Sequence, residues 1–146
     1  MNIDEYQTTF LLYAPAKNPQ GWALDLGTFG EALREGFPEV GYQSRQNDEG
    51  EVRLSFSAVT DSGIEITGFA KTEARDTVLI ADASVDEAAT FIAWLRDAYV
   101  PSPDLVHFTT EAAFERGIDS DWRVPATGDR GRIADELKQH IHVVEG

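Results

Sequence analysis

Cysteine is absent from this chain of 146 residues, which removes disulfides, thiolate metal sites and a cysteine nucleophile. Long apolar runs are missing as well, and no stretch approaches the ~20 residues that a membrane-spanning helix needs. The opening residues include Asp4 and Glu5 where a secretory signal needs bases. A cytoplasmic protein without a membrane partner is therefore expected. Basic residues are scarce: 12 Lys and Arg stand against 26 Asp and Glu, for a net charge of −14. Counted in thirds, residues 1–49 hold 8 acids and 3 bases, 50–100 hold 9 and 4, and 101–146 hold 9 and 5. The excess is spread along the chain with no acidic tail or basic half. A field of this sign repels phosphate backbones, so direct nucleic-acid binding is disfavoured, and it attracts a basic protein.

Several chemical motifs are also lacking. No Gly-x-Ser-x-Gly elbow is present to carry a serine nucleophile. The glycine-rich stretch Gly21–Gly30 precedes a short helical segment, yet residues 21–31 contain no Lys or Arg and do contain Asp25. It matches neither the Walker nor the dinucleotide pattern, so its glycines are turn and cap residues rather than a phosphate cradle. No EF-hand spacing occurs. Paired acids such as Asp86/Glu87 and Asp135/Glu136 are plentiful, but adjacent side chains point apart on a helix or strand and cannot share a proton. No cofactor is expected.

What is present describes a single α+β domain over residues 1–146. Hydrophobic residues make up 42% and aromatics 10%, enough for a core and too many for a disordered chain. Residues 6–14 are rich in β-formers and end at Pro15. Val52, Leu54, Phe56 and Ala58 alternate with Arg53, Ser55 and Ser57; Ile64, Ile66, Gly68 and Ala70 alternate with Glu65, Thr67 and Lys71. With Gly41–Gln46 in front and Thr77–Ala81 behind, residues 41–81 read as a four-strand antiparallel meander. Thr28 and Glu31 have the spacing of a capping box for a short helix over 29–35, stopped at Gly36. Ser84 and Glu87 form a second box opening the main helix, 85–99, with Val85, Ala88, Phe91, Ile92, Leu95 and Tyr99 on one stripe. That stripe is expected to pack on the alternating face of the meander. Short strands at 105–108 and 122–124, a short helix at 111–116 and a C-terminal helix over 129–141, capped by Thr127, complete the reading.

No motif identifies a family. In composition the chain is similar to small acidic bacterial proteins, toxin-neutralising immunity proteins among them. The functional expectation is a non-enzymatic protein-interaction domain of bacterial type that binds or neutralises a basic partner. Trp22, Asp25, Asp119, Asp121 and Trp122 are its candidate contact residues, because loop tryptophans anchor interfaces and neighbouring acids face a basic surface. The alternative is a small-molecule module, or an enzyme without a recognisable motif, with a pocket between meander and helices lined by Asp82, His107 and Trp122. His140-Ile-His142 is the nearest approach to a metal signature, but helical spacing separates the two rings and no metal site is assigned. Self-association into a homo-oligomer is compatible with all of these readings.

Overall fold

A computed structural model describes residues 2–118 and 121–146. Seven strands form one antiparallel sheet: β1 (Gln7–Tyr13), β2 (Gly41–Gln46), β3 (Val52–Val59), β4 (Glu65–Lys71), β5 (Thr77–Ser84), β6 (His107–Thr110) and β7 (Trp122–Arg123). Their order is β2-β3-β4-β5-β1-β6-β7, so the meander is intact and β1 is threaded between β5 and β6. Four helices accompany the sheet: α1 (Leu26–Gly36), α2 (Val85–Trp94), α3 (Glu111–Glu115) and α4 (Arg130–Glu145). The fold is α+β, as expected from strands that pair locally and helices that follow them.

The alternation in β3 and β4 does what its period requires. Leu54, Phe56, Ala58, Ile66 and Ala70 are buried under the helices, whereas Val52 and Ile64, at the strand ends, are about two-fifths exposed. Val85, Ala88, Phe91, Ile92 and Leu95 supply the facing surface. The Phe91 ring stacks on Phe56 at 5.3 Å and on Phe37 at 5.9 Å, with Trp94 closing the edge at 5.4 Å. Each buried ring contributes roughly 1.5–3 kcal/mol, and side chains fill this sheet–helix interface. Gly68 is fixed by a close approach, because a Cβ there would run into the backbone carbonyl of Leu79.

The main helix opens on the expected box: Ser84 N donates to Glu87 Oε1 at 2.8 Å, and Glu87 N donates to Ser84 Oγ at 3.2 Å. Its last turn widens into a π-turn, Leu95–Tyr99, in which Val100 N donates to Leu95 O at 3.0 Å. That turn buries Arg96, which donates to the Asp97 carboxylate at 2.7 and 3.1 Å and to the carbonyls of Pro125 and Gly128. One side chain thus ties the 125–128 loop to the core.

Two caps differ from the sequence reading. α1 starts at Leu26, earlier than 29, because the Asp25 carboxylate accepts from Thr28 N at 2.9 Å; Thr28 is in the first turn, and Glu31 lies too far along to close a box. α4 is capped by Asp129, which accepts from Arg132 N at 3.1 Å, rather than by Thr127, and it continues to Glu145. In both places the cap is the aspartate just before the helix, whose carboxylate reaches the amide three residues on. The loop between β1 and α1 is held down by Asp76, which is 2% exposed. Its carboxylate accepts from Leu24 N at 3.3 Å, and its own N–H donates to Pro19 O. Burial pushes its carboxyl above the usual range, against the opposing pull of the Leu24 and Trp22 amides.

Candidate functional site

The sheet has two unlike faces. Among the described residues, helices α1, α2 and α4 cover one, while the other is partly open and flanked by α3 and residues 116–118. Residues directly opposite in an antiparallel pair project from the same face, so the register defines what the open face carries. Arg45 pairs with Arg53, and Arg53 with Lys71. Lys71 pairs with Thr77, Thr77 with Tyr13, Tyr13 with His107, and His107 with Arg123. A single row crosses all seven strands, and four of its members are permanent cations. The adjacent row is apolar at its centre: Ser55 pairs with Phe69, Phe69 with Leu79, and Leu79 with Leu11.

Where these rows meet α3 they form a groove of about 540 Å³. Leu11, Phe114 and Ile118 line its apolar side; Lys71, Arg75 and Thr77 line the other, and among the described residues no carboxylate lines it. Phe114 is 64% exposed, an unusual position for a phenyl ring. The cations are placed by aromatics: the Arg75 guanidinium lies 4.8 Å over the Tyr13 ring, and that of Arg53 lies 4.8 Å over Phe69. Arg53 Nε is buried without a hydrogen-bond partner. Among the described residues, none of Arg45, Arg53, Lys71, Arg75 and Arg123 forms an ion pair with a carboxylate. The Glu51 carboxyl is held below the usual range, first by the Asn47 amide, with Arg53 a lesser contributor. Like charges opposite one another on neighbouring strands cost roughly 0.2–1 kcal/mol per pair, so the row is kept at a small expense in stability.

Beside the groove, His107 Nδ1 lies 2.8 Å from Asp121 Oδ1, and the Tyr13 hydroxyl donates to the same oxygen at 3.2 Å. His107 is 6% exposed. The cluster closes the β6 end of the open face and positions the Tyr13 ring under Arg75.

The residues singled out in the sequence are dispersed. Trp22 is 2% exposed and donates to Leu105 O at 2.7 Å, so it closes over the core and leaves no face for a partner. Asp25 caps α1, and its backbone N–H donates to the Tyr99 hydroxyl. Asp119 lies outside the described residues. Asp121 is beside His107, whereas Trp122 pairs with Phe108 on the helix-covered face, edge-on to His140 at 5.1 Å. His107 and Trp122 therefore point to opposite sides of the sheet and cannot line one pocket. Asp82 is exposed at a bulge: Thr8 pairs with Ala83 and Phe10 with Ile80, and Asp82 takes φ +45° to absorb the extra residue. The groove on the open face is thus across the sheet from the place expected, while another pocket, of about 560 Å³, lies on the helical side between the 60–64 turn of the meander and the start of α2.

His140 and His142 also separate. His142 is exposed, while His140 is fully buried against Phe108 at 5.1 Å, with Nε2 2.9 Å from Thr110 Oγ1 and Nδ1 unpartnered. Burial lowers its pKa to about 4, so the ring is neutral near pH 7. Among the described residues, no group of three or more His, Cys, Asp or Glu side chains could hold a metal ion. No helix among them is long and apolar enough to cross a membrane. Comparisons with protein-family models, with curated proteins and with solved structures find no match.

Proposed function

We propose that the protein is a non-enzymatic binding domain whose ligand sits in the groove on the open face of the sheet. The observation that carries this reading is the groove itself, an apolar wall at Leu11 and Phe114 opposite polar groups at Lys71, Arg75 and Thr77. Its size falls within the roughly 300–1,000 Å³ of small-molecule sites, and convergent polar groups beside apolar surface are their usual lining. A fragment screen read by amide chemical shifts tests it. Hits should cluster on β1, β5 and the 114–118 segment and vanish in Leu11→Arg, which plants a charged side chain in the groove. Hits that spread over the surface, or that persist in that variant, count against the site.

A second reading, the basic protein partner, is supported by how charge is divided. On the helical side Glu31, Glu35, Asp86 and Asp135 are exposed; of the bases there Arg96 is buried, Arg132 faces Glu136 and Lys138 faces Asp4, while Arg34 lies over the Tyr42 ring and Arg130 donates to Thr90 Oγ1. A partner of this kind should be retained by the native chain at low salt and lost by the Glu31→Lys/Glu35→Lys variant. Equal retention by both would remove the helical acids from the argument. An immunity-type role in a bacterium is one form this reading takes.

A further inference from the structure

Resting on the groove as the binding site, we infer that its ligand is a small anion, a carboxylate or phosphate head group carried on an apolar body. The head group belongs at Lys71 and Arg75, and the body against Leu11, Phe114 and Ile118. Both cations line the groove on its polar side, Lys71 at the end of β4 and Arg75 in the turn that follows, where its carbonyl accepts from the Thr77 hydroxyl at 3.0 Å. Lys71 faces Arg53 across the strand pair, and Arg53 faces Arg45. Three cations in register on adjacent strands create a positive potential that a bound anion would relieve. The placement is selective in a chain of net −14: five of the 12 bases are on or beside this row, and among the described residues the groove lining holds no acid. Arg53 reinforces the field from the side, its ring-stacked guanidinium fixed over Phe69 and its Nε unpartnered.

Other occupants fit less well. A nucleic acid would have to approach against the net charge of the whole molecule. A second copy docked face to face about a two-fold axis would bring two rows of bases together. A neutral ligand would leave Lys71 and Arg75 without the partner their charge favours.

Four eight-carbon probes separate these possibilities: octanoate, octyl phosphate, octan-1-ol and octylammonium, each titrated at constant ionic strength and followed by amide shifts. Octanoate or octyl phosphate, or both, should shift the amides of Leu11, Lys71, Thr77 and Thr109. Octanol should bind roughly tenfold more weakly, and octylammonium should leave those amides unmoved. The order of the two anions tells a carboxylate from a phosphate preference. In Lys71→Gln/Arg75→Gln the anions should lose roughly tenfold in affinity while octanol is unchanged, with the unfolding midpoint showing that the variant is folded. Octanol binding as tightly as octanoate at the same amides would overturn the anionic head group and leave the groove standing. No probe moving those amides at millimolar concentration would defeat both readings. So would a concentration-dependent dimer, seen by light scattering, that covers Phe114.

Discussion

The two faces of the sheet are built from the same strands and differ in what sequence has put on alternate residues. Under the helices, Phe10, Leu12, Phe56, Val78, Ile80 and Phe108 are nearly inaccessible, and rings stack at 5.3–5.9 Å. On the other side Leu11, Phe69 and Leu79 are half-buried, and the cations of the row stand one position away. The difference teaches that deep burial is concentrated on one side of the sheet and accessible charge on the other. A side chain that moves one residue along any central strand changes role.

Breaking the covered face should have the largest effect. Phe56→Ala removes a ring stacked on Phe91 and leaves a cavity that rigid strands close poorly; a loss of about 3–5 kcal/mol in urea unfolding is expected. Arg96→Ala comes next, because it strands the carbonyls of Pro125 and Gly128 and unpairs Asp97. Roughly 2–4 kcal/mol should be lost, less than for a fully buried pair because Asp97 is largely exposed.

His140 contributes a pH dependence to the same face. Its pKa is depressed from 6.5 to about 4, so the folded state prefers the neutral ring. The stability this gives is complete above pH 6.5 and is lost as pH falls toward 4, up to about 3 kcal/mol in all. Unfolding free energies of the native chain and of His140→Leu, compared at about pH 7 and about pH 4.5, should show a smaller fall for the variant. An identical fall would assign the acid sensitivity to other groups.

The open face should answer more quietly. Lys71→Gln is expected to change stability by no more than about 0.5 kcal/mol, with a gain as the favoured sign, because it removes one like-charge opposition to Arg53. A loss of about 2 kcal/mol or more would mean that the open face also supports the fold, and the contrast between the faces would fail.

Much of the covered face was legible in the sequence. The alternation through Leu54, Phe56 and Ala58, the Ser84/Glu87 box and the stripe from Val85 are local patterns, and each is set by neighbours within a few residues. The open face was not legible, because the cationic row exists only once register is fixed across seven strands, and register between β1 and β6 joins residues almost 100 positions apart. One signal was present: Phe10-Leu-Leu-Tyr13 is apolar without alternation, the mark of a strand with apolar company on both sides. Asp25 and Thr28 show the limit of local reading, since each is a competent cap and only the chain path through Trp22 and Asp76 selects the former. His140 could have been placed by its spacing from Ile133, Leu137 and Ile141 on a common helix face; its neighbour His142 drew attention to metal chemistry instead.

The threading of β1 has a consequence for biosynthesis. Its partners on the two sides are residues 77–84 and 107–110, so Phe10 and Leu12 leave the ribosome with no strand to join until Thr77 and its successors follow. At ordinary elongation rates that interval lasts roughly several seconds, long against the microseconds of hairpin closure in the later meander. The nascent protein must carry an unzipped, sticky segment through that wait.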